Sequence, residues 1–123
     1  MRRWILLCLA LAIVLAAGLA AFARPQTPQT PVGMSRQTLL ENRRVRVLRL
    51  KLAPGATEGV HAHPYDVVET MLTPGDVVST IGENTTRVHR DVNYTVFIPK
   101  GTVHAIGNYG KDPYDVLVVT ILR

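Results

Sequence analysis

The segment Pro99-Lys100-Gly101-Thr102-Val103-His104-Ala105-Ile106-Gly107-Asn108, taken with His61-Ala62-His63 upstream, restricts this chain more than any other feature. Proline fixes φ and glycine admits a left-handed turn, so Pro-x-Gly is a hard corner that delivers the residue three positions on, His104, to a defined place. Side chains on an extended strand alternate between faces, so His61 and His63 point the same way and can chelate one cation. His104 can supply a third nitrogen.

The rest of the chain reads as strands. Past residue 40, short β-branched runs alternate with turn signals at the spacing of an all-β sandwich or barrel, and no helical period competes. Leu48, Leu50 and Leu52 alternate with Arg49 and Lys51 as a half-buried strand ended by Pro54-Gly55. Further strands are expected at 67–72, 77–81, 85–89, 95–98 and 104–106, and 116–122 is a nearly continuous apolar last strand. This order suits a small antiparallel jelly-roll barrel, which hides most strand edges by closure.

The two histidine segments resemble the motifs of the cupin superfamily, G-x5-H-x-H-x3/4-E-x6-G and G-x5-P-x-G-x2-H-x3-N. Gly55, His61 and His63 match the first motif, and Pro99, Gly101, His104 and Asn108 match the second without a gap. The glycine expected six residues before Pro99 is Asn93, which still serves a turn because Asn tolerates left-handed φ. The glutamate slot after the second histidine holds Val67 or Val68, with Asp66 and Glu69 as the nearest acids. The resemblance implies a metal-binding barrel, and the valine in the glutamate slot leaves the usual fourth ligand unassigned.

Met1 to Arg3 is positive, Trp4 to Ala23 carries no charge, and Ala21-Phe22-Ala23 is a small-x-small site. Residues 1–23 therefore read as a signal peptide, with an uncleaved N-terminal membrane anchor as the alternative, followed by a linker at 24–40 and a barrel domain at 41–123. Either way the domain is expected outside the cytoplasm, periplasmic or secreted. Arg2-Arg3 has twin-arginine order, but the very hydrophobic segment that follows favours the general secretory route. The single cysteine, Cys8, lies inside the apolar run, so the mature domain has no thiol. Of 14 Lys and Arg residues, two precede residue 4, which leaves 12 against 9 acids and a formal charge of +3. Those bases are scattered and no aromatic residues interleave with them, which argues against nucleic acid.

His61, His63 and His104 are read as ligands of a divalent transition metal, of which Fe, Mn, Co, Ni, Zn and Cu all suit neutral imidazoles. The plainer alternative is three hydrogen-bonded polar residues in a barrel mouth. Glu69 lies two residues beyond Val67 on the same strand face, so it is a metal ligand after strand adjustment, an acid facing the substrate in a catalytic role, or a solvent-facing residue if Val68 points inward. Asp66 reads as a turn acid and His89 as an exposed strand end. Asn108 is expected to satisfy backbone groups, and Tyr65, Tyr94, Tyr109 and Tyr114 to pack at turns and rim. Asn84-Thr85-Thr86 and Asn93-Tyr94-Thr95 fit a glycosylation pattern that matters only in a eukaryotic secretory pathway.

Function is not named by such a fold. The resemblance implies a metal-dependent dioxygenase-type enzyme acting on a small organic acid or enol. The alternatives are a barrel that binds a small molecule or metal without turnover, and a metal-free structural partner. A homodimer is expected, because the strands near 43–52 and 116–122 offer apolar surface that one small barrel leaves uncovered.

Overall fold

A computed structural model describes residues 32–123. The expected signal segment at 1–23, with Cys8 and the arginine pair, lies outside the described residues, as does the first part of the linker. Among the described residues nine strands are present: β1 (Met34–Glu41), β2 (Val45–Leu52), β3 (His61–Ala62), β4 (Asp66–Met71), β5 (Gly75–Ile81), β6 (Asn84–Arg90), β7 (Thr95–Ile98), β8 (Val103–Asn108) and β9 (Tyr114–Ile121). They pair antiparallel in two sheets, of order β1-β2-β9-β4-β7 and β3-β8-β5-β6. No helix is present among the described residues.

The alternation in the sequence sets which faces meet. Leu50 and Leu52 of β2, Val67 and Met71 of β4, Val77 of β5, Ile106 of β8 and Val116 and Val118 of β9 all turn inward to one core. Leu52, Val67, Val77, Tyr114 and Val116 are wholly buried, each aliphatic side chain contributing roughly 1.5–3 kcal/mol of transfer free energy. Arg49 and Lys51 point outward, and Arg49 pairs with Asp115 across the β2–β9 ladder.

Three local features depart from expectation. The stretch assigned to the linker is strand from Met34 onward: β1 pairs with β2 along its whole length, with an irregularity between Thr38 and Leu40. Its side chains after Met34 are exposed, so no apolar alternation marks it, and backbone pairing to an open sheet edge is what holds it. The histidine pair does not share one long strand, since β3 ends at Ala62 and His63 lies past it, just before the bend at Pro64 and Tyr65. Tyr114 is core rather than rim: it is wholly buried, and its hydroxyl donates to the Gly107 carbonyl at 3.1 Å. Gly75 makes room for it, because a Cβ there would stand 2.6 Å from the Tyr114 ring.

Other expectations hold. Asn93 takes φ of 69° in the turn where the family motif has glycine. Asn108 is buried, donates to the carbonyls of Leu52 and Asp112, and accepts from the Gly110 amide. It thus ties the end of β8 to β2 and to the loop before β9.

Candidate metal centre

The two histidine segments are stitched together by backbone. His61 of β3 is the register partner of His104 of β8. Gly101, at φ of 78°, donates its amide to the His63 carbonyl at 2.8 Å. Lys100 donates its amide to Asp66 Oδ1 at 2.9 Å, so Asp66 holds the proline corner in place. These bonds make the Pro-x-Gly corner and the His61–His63 segment one unit.

The result is a cluster in which one nitrogen from each of His61, His63 and His104 lies within 4.8 Å of the others. The Nε2 atoms of His61 and His63 are 3.2 Å apart, close to the roughly 3 Å separation of neighbouring ligands on an ion with bonds of about 2.1 Å. His61 Nδ1 sits 2.9 Å from the Gly59 carbonyl. A carbonyl only accepts, so Nδ1 carries the proton and Nε2 presents its lone pair to the cluster. His104 is buried and its Nε2 has no hydrogen-bond partner among the described residues, an arrangement that costs free energy unless something fills it.

Burial favours the neutral form at two of these rings, His104 and His63. Burial pushes His104 down to about 4, with the neighbouring His61 and His63 adding to the effect. His63 is also lowered, chiefly by burial and then by His61. Neutral imidazoles with unused lone pairs are the form that binds a metal, and the donor set fits a divalent transition ion.

Glu69 is inward-facing and only 6% exposed. Val67 occupies the motif's glutamate slot on the same face of β4, fully buried, while Val68 turns outward. Glu69 is not part of the mutual cluster. It lines a cavity of about 190 Å³ together with His104, Arg90, Ser79 and Thr102 at its polar points and Ile81, Val96, Ile98 and Ile106 along its walls. Burial, reinforced by the charge of Glu58, pushes its carboxyl up to about 7, so it can hold or release a proton near neutrality. Arg90 stacks on Tyr94 with 4.6 Å to the ring centroid, and its Nε is buried without a partner among the described residues. A second cavity, of about 290 Å³, lies on the His61 and His63 side, lined also by Glu58, Arg36, Leu50 and Val118. The imidazoles thus stand between two cavities.

His89 lies apart from this centre, paired at the surface with Asp76 at 2.7 Å. Glu58, three residues before His61, is a neighbour that the sequence reading does not single out. The available signal was its place inside the five-residue spacer of the first motif.

The cupin-domain family profile matches residues 48–120. The chain belongs to the cupin family. Among solved structures it is similar to a cupin domain from Bordetella pertussis (22% identity, TM-score 0.67, covering 76% of this chain and 97% of that one). It is also similar to a predicted oxalate decarboxylase from Thermotoga maritima (25% identity, TM-score 0.63, 73% and 81% covered). Among curated proteins, a mannose-1-phosphate guanylyltransferase from Sinorhizobium fredii is 32% identical over 74 residues, 60% of this chain, which spans 14% of that enzyme's length. The antiparallel all-β architecture and the family agree with what the two histidine motifs imply.

Proposed function

We propose that this cupin is an exported protein that holds a divalent transition metal through His61, His63 and His104 and uses it on a small organic acid or enol in dioxygenase-type chemistry. The observation that carries the reading is the convergence of three imidazoles around the buried Nε2 of His104, which has no hydrogen-bond partner among the described residues. A bound ion supplies Lewis acidity and, if redox-active, an electron route to dioxygen. The chain's own residues supply the rest. The apolar walls of the cavity beside His104 exclude water, Arg90 offers an N–H to an acid group, and Glu69 is placed to take or return a proton. The name carried by the Thermotoga relative, a predicted oxalate decarboxylase, supports a small carboxylate as the ligand class.

Binding without turnover is the second reading. It is favoured by the scarcity of proton-transfer groups in that cavity, where Glu69 is the one carboxylate. Metal analysis of the full chain, followed by oxygen uptake with oxalate and a panel of keto and enol acids, separates the two. Metal with substrate-dependent uptake supports the enzyme. Metal with saturable ligand binding and no uptake supports the binding protein, and absence of metal after loading with each candidate ion overturns both.

A homodimer also belongs to this reading. Leu40, Val47, Val119, Val68 and Phe97 are successive cross-strand partners. They form an apolar row on the outer face of the five-stranded sheet, with Leu40 and Phe97 largely exposed. A second copy is the partner we assign to this row.

A further inference from the structure

Glu58 stands in the loop between β2 and β3, and that loop is pinned to the strand that carries His104. Its amide donates to the Ile106 carbonyl at 2.8 Å, and Thr57 beside it forms a bridge with Gly107. The Glu58 side chain is nearly buried, at 11% exposure. Its two carboxylate oxygens have different surroundings. Oε1 accepts a hydrogen bond from Arg36 Nη2 of β1 at 2.8 Å. Oε2 lies 3.7 Å from His61 Nε2, the nitrogen whose proton the Gly59 carbonyl has drawn to the far side of the ring.

A carboxylate oxygen and an imidazole lone pair facing each other without a proton between them repel, and a shared cation relieves that repulsion. Neither of the other candidates for the carboxylate position offers this. Val67 fills the motif slot with a hydrocarbon side chain. Glu69 makes no ion pair with His61, His63 or His104 among the described residues, and it faces the cavity on the His104 side. Glu58 is not one of the group whose nitrogens are all within 4.8 Å of one another, and it approaches that group at His61.

We propose that Glu58 supplies the carboxylate ligand of the divalent-metal site, replacing the glutamate that the family motif places after the second histidine, and that Arg36 is the positioning residue that aims it. The proposal rests on the three-histidine metal reading. It moves the anionic ligand from β4 to the preceding loop and leaves Glu69 unbound in its cavity. It also lowers the net charge at the ion by one, which weakens the pull on doubly charged substrates.

The test titrates the full chain with Zn(II) alone and with Co(II) alone, in wild type and in the E58Q, R36Q, E69Q and H104A variants. Zn(II) affinity is read by competition with a chromophoric chelator, and coordination by the visible Co(II) band. H104A is expected to lose both signals. E58Q is expected to bind Zn(II) about tenfold to a hundredfold more weakly with an altered Co(II) band, R36Q to fall between it and wild type, and E69Q to match wild type. Wild-type affinity and band in E58Q, with the H104A loss intact, overturn the proposal and leave the three-histidine site standing. So does weakening by E69Q in the place of E58Q. Should wild type bind neither ion, or H104A bind as wild type does, the underlying metal reading itself fails. If E58Q does not fold, E58D keeps the charge but withdraws the oxygens by a methylene, and wild-type Zn(II) affinity there overturns the assignment.

Discussion

His61 and His104 face each other across the short β3–β8 pairing, with ring centroids 4.4 Å apart. The pairing has only two residue pairs, so it is too short to be stable alone. What fixes it is the hydrogen bonding around it: Gly101 to His63, Lys100 to Asp66 and Glu58 to Ile106. The geometry of the histidine cluster is therefore set by loop anchoring rather than by a long strand.

The first prediction concerns metal-linked stability. A ligand that binds only the folded state stabilises it by about 2.7 kcal/mol at a hundredfold excess over Kd. Zn(II) should raise the melting temperature of wild type, and the rise should vanish in each of His61→Ala, His63→Ala and His104→Ala. Differential scanning calorimetry with and without the ion checks it. A full rise retained in any of the three would remove that residue from the ligand set.

Glu69 makes stability depend on pH in a defined direction. Its folded-state value is raised to about 7 from an ordinary 4.5, so its favourable contribution is fully present below 4.5 and is lost as pH rises to about 7. By linkage the loss is on the order of 3 kcal/mol. His104, lowered to about 4, acts oppositely as pH falls below 6.5, so wild type alone does not isolate the effect. The stability of metal-free Glu69→Gln relative to wild type should therefore rise between pH 4.5 and 7 and level off above. Urea unfolding at a series of pH values measures it, and a flat difference would refute it.

Gly75→Ala tests the Tyr114 contact. The new Cβ would stand 2.6 Å from the ring, and overpacking of this kind costs roughly 1–3 kcal/mol or more. Chemical denaturation should show that loss. Tyr114→Phe, which gives up one buried hydrogen bond, should cost about 1 kcal/mol.

Replacing Asn108 with Ala removes bonds to Leu52, Asp112 and Gly110 together. Because three bonds at a buried side chain are lost together, a loss of about 2–4 kcal/mol is expected. Retained metal affinity in the folded fraction would show that Asn108 supports the barrel and does not act at the site.

Val68→Lys and Phe97→Lys each place a charge in the outer apolar row. Sedimentation should show wild type as a dimer and both variants shifted toward monomer, with melting temperature little changed at low concentration. A wild-type monomer at high concentration would count against the assigned partner.

Much of this architecture was legible because period-two patterning is direct: Leu48, Leu50 and Leu52 announce an inward face, and Pro99 and Gly101 announce a corner. The histidine triad was legible from the spacing of the two histidine motifs, although His63 lies past the end of β3 and not on a shared strand face. What stayed hidden was carried by contacts that pattern does not encode. The strand from Met34 to Glu41 is held by backbone pairing with exposed side chains, so nothing in its polarity betrays it. Tyr114 follows a turn and reads as rim until the space left by Gly75 is known. Glu58 gains meaning only when Arg36, which lies 22 positions away, takes one of its oxygens.

The pairing of β3 with β8 bears on the order of events during folding. His61 and His104 are separated in the chain by the whole of β4 to β7, and β8 also pairs with β5. Closing so large a loop is entropically costly and slow, so the triad forms only after the intervening hairpins have docked. A partly folded chain holds at most the His61–His63 pair. Tight ion capture would then report completion of the barrel, and a spectroscopic metal such as Co(II), present during refolding, would time its last step.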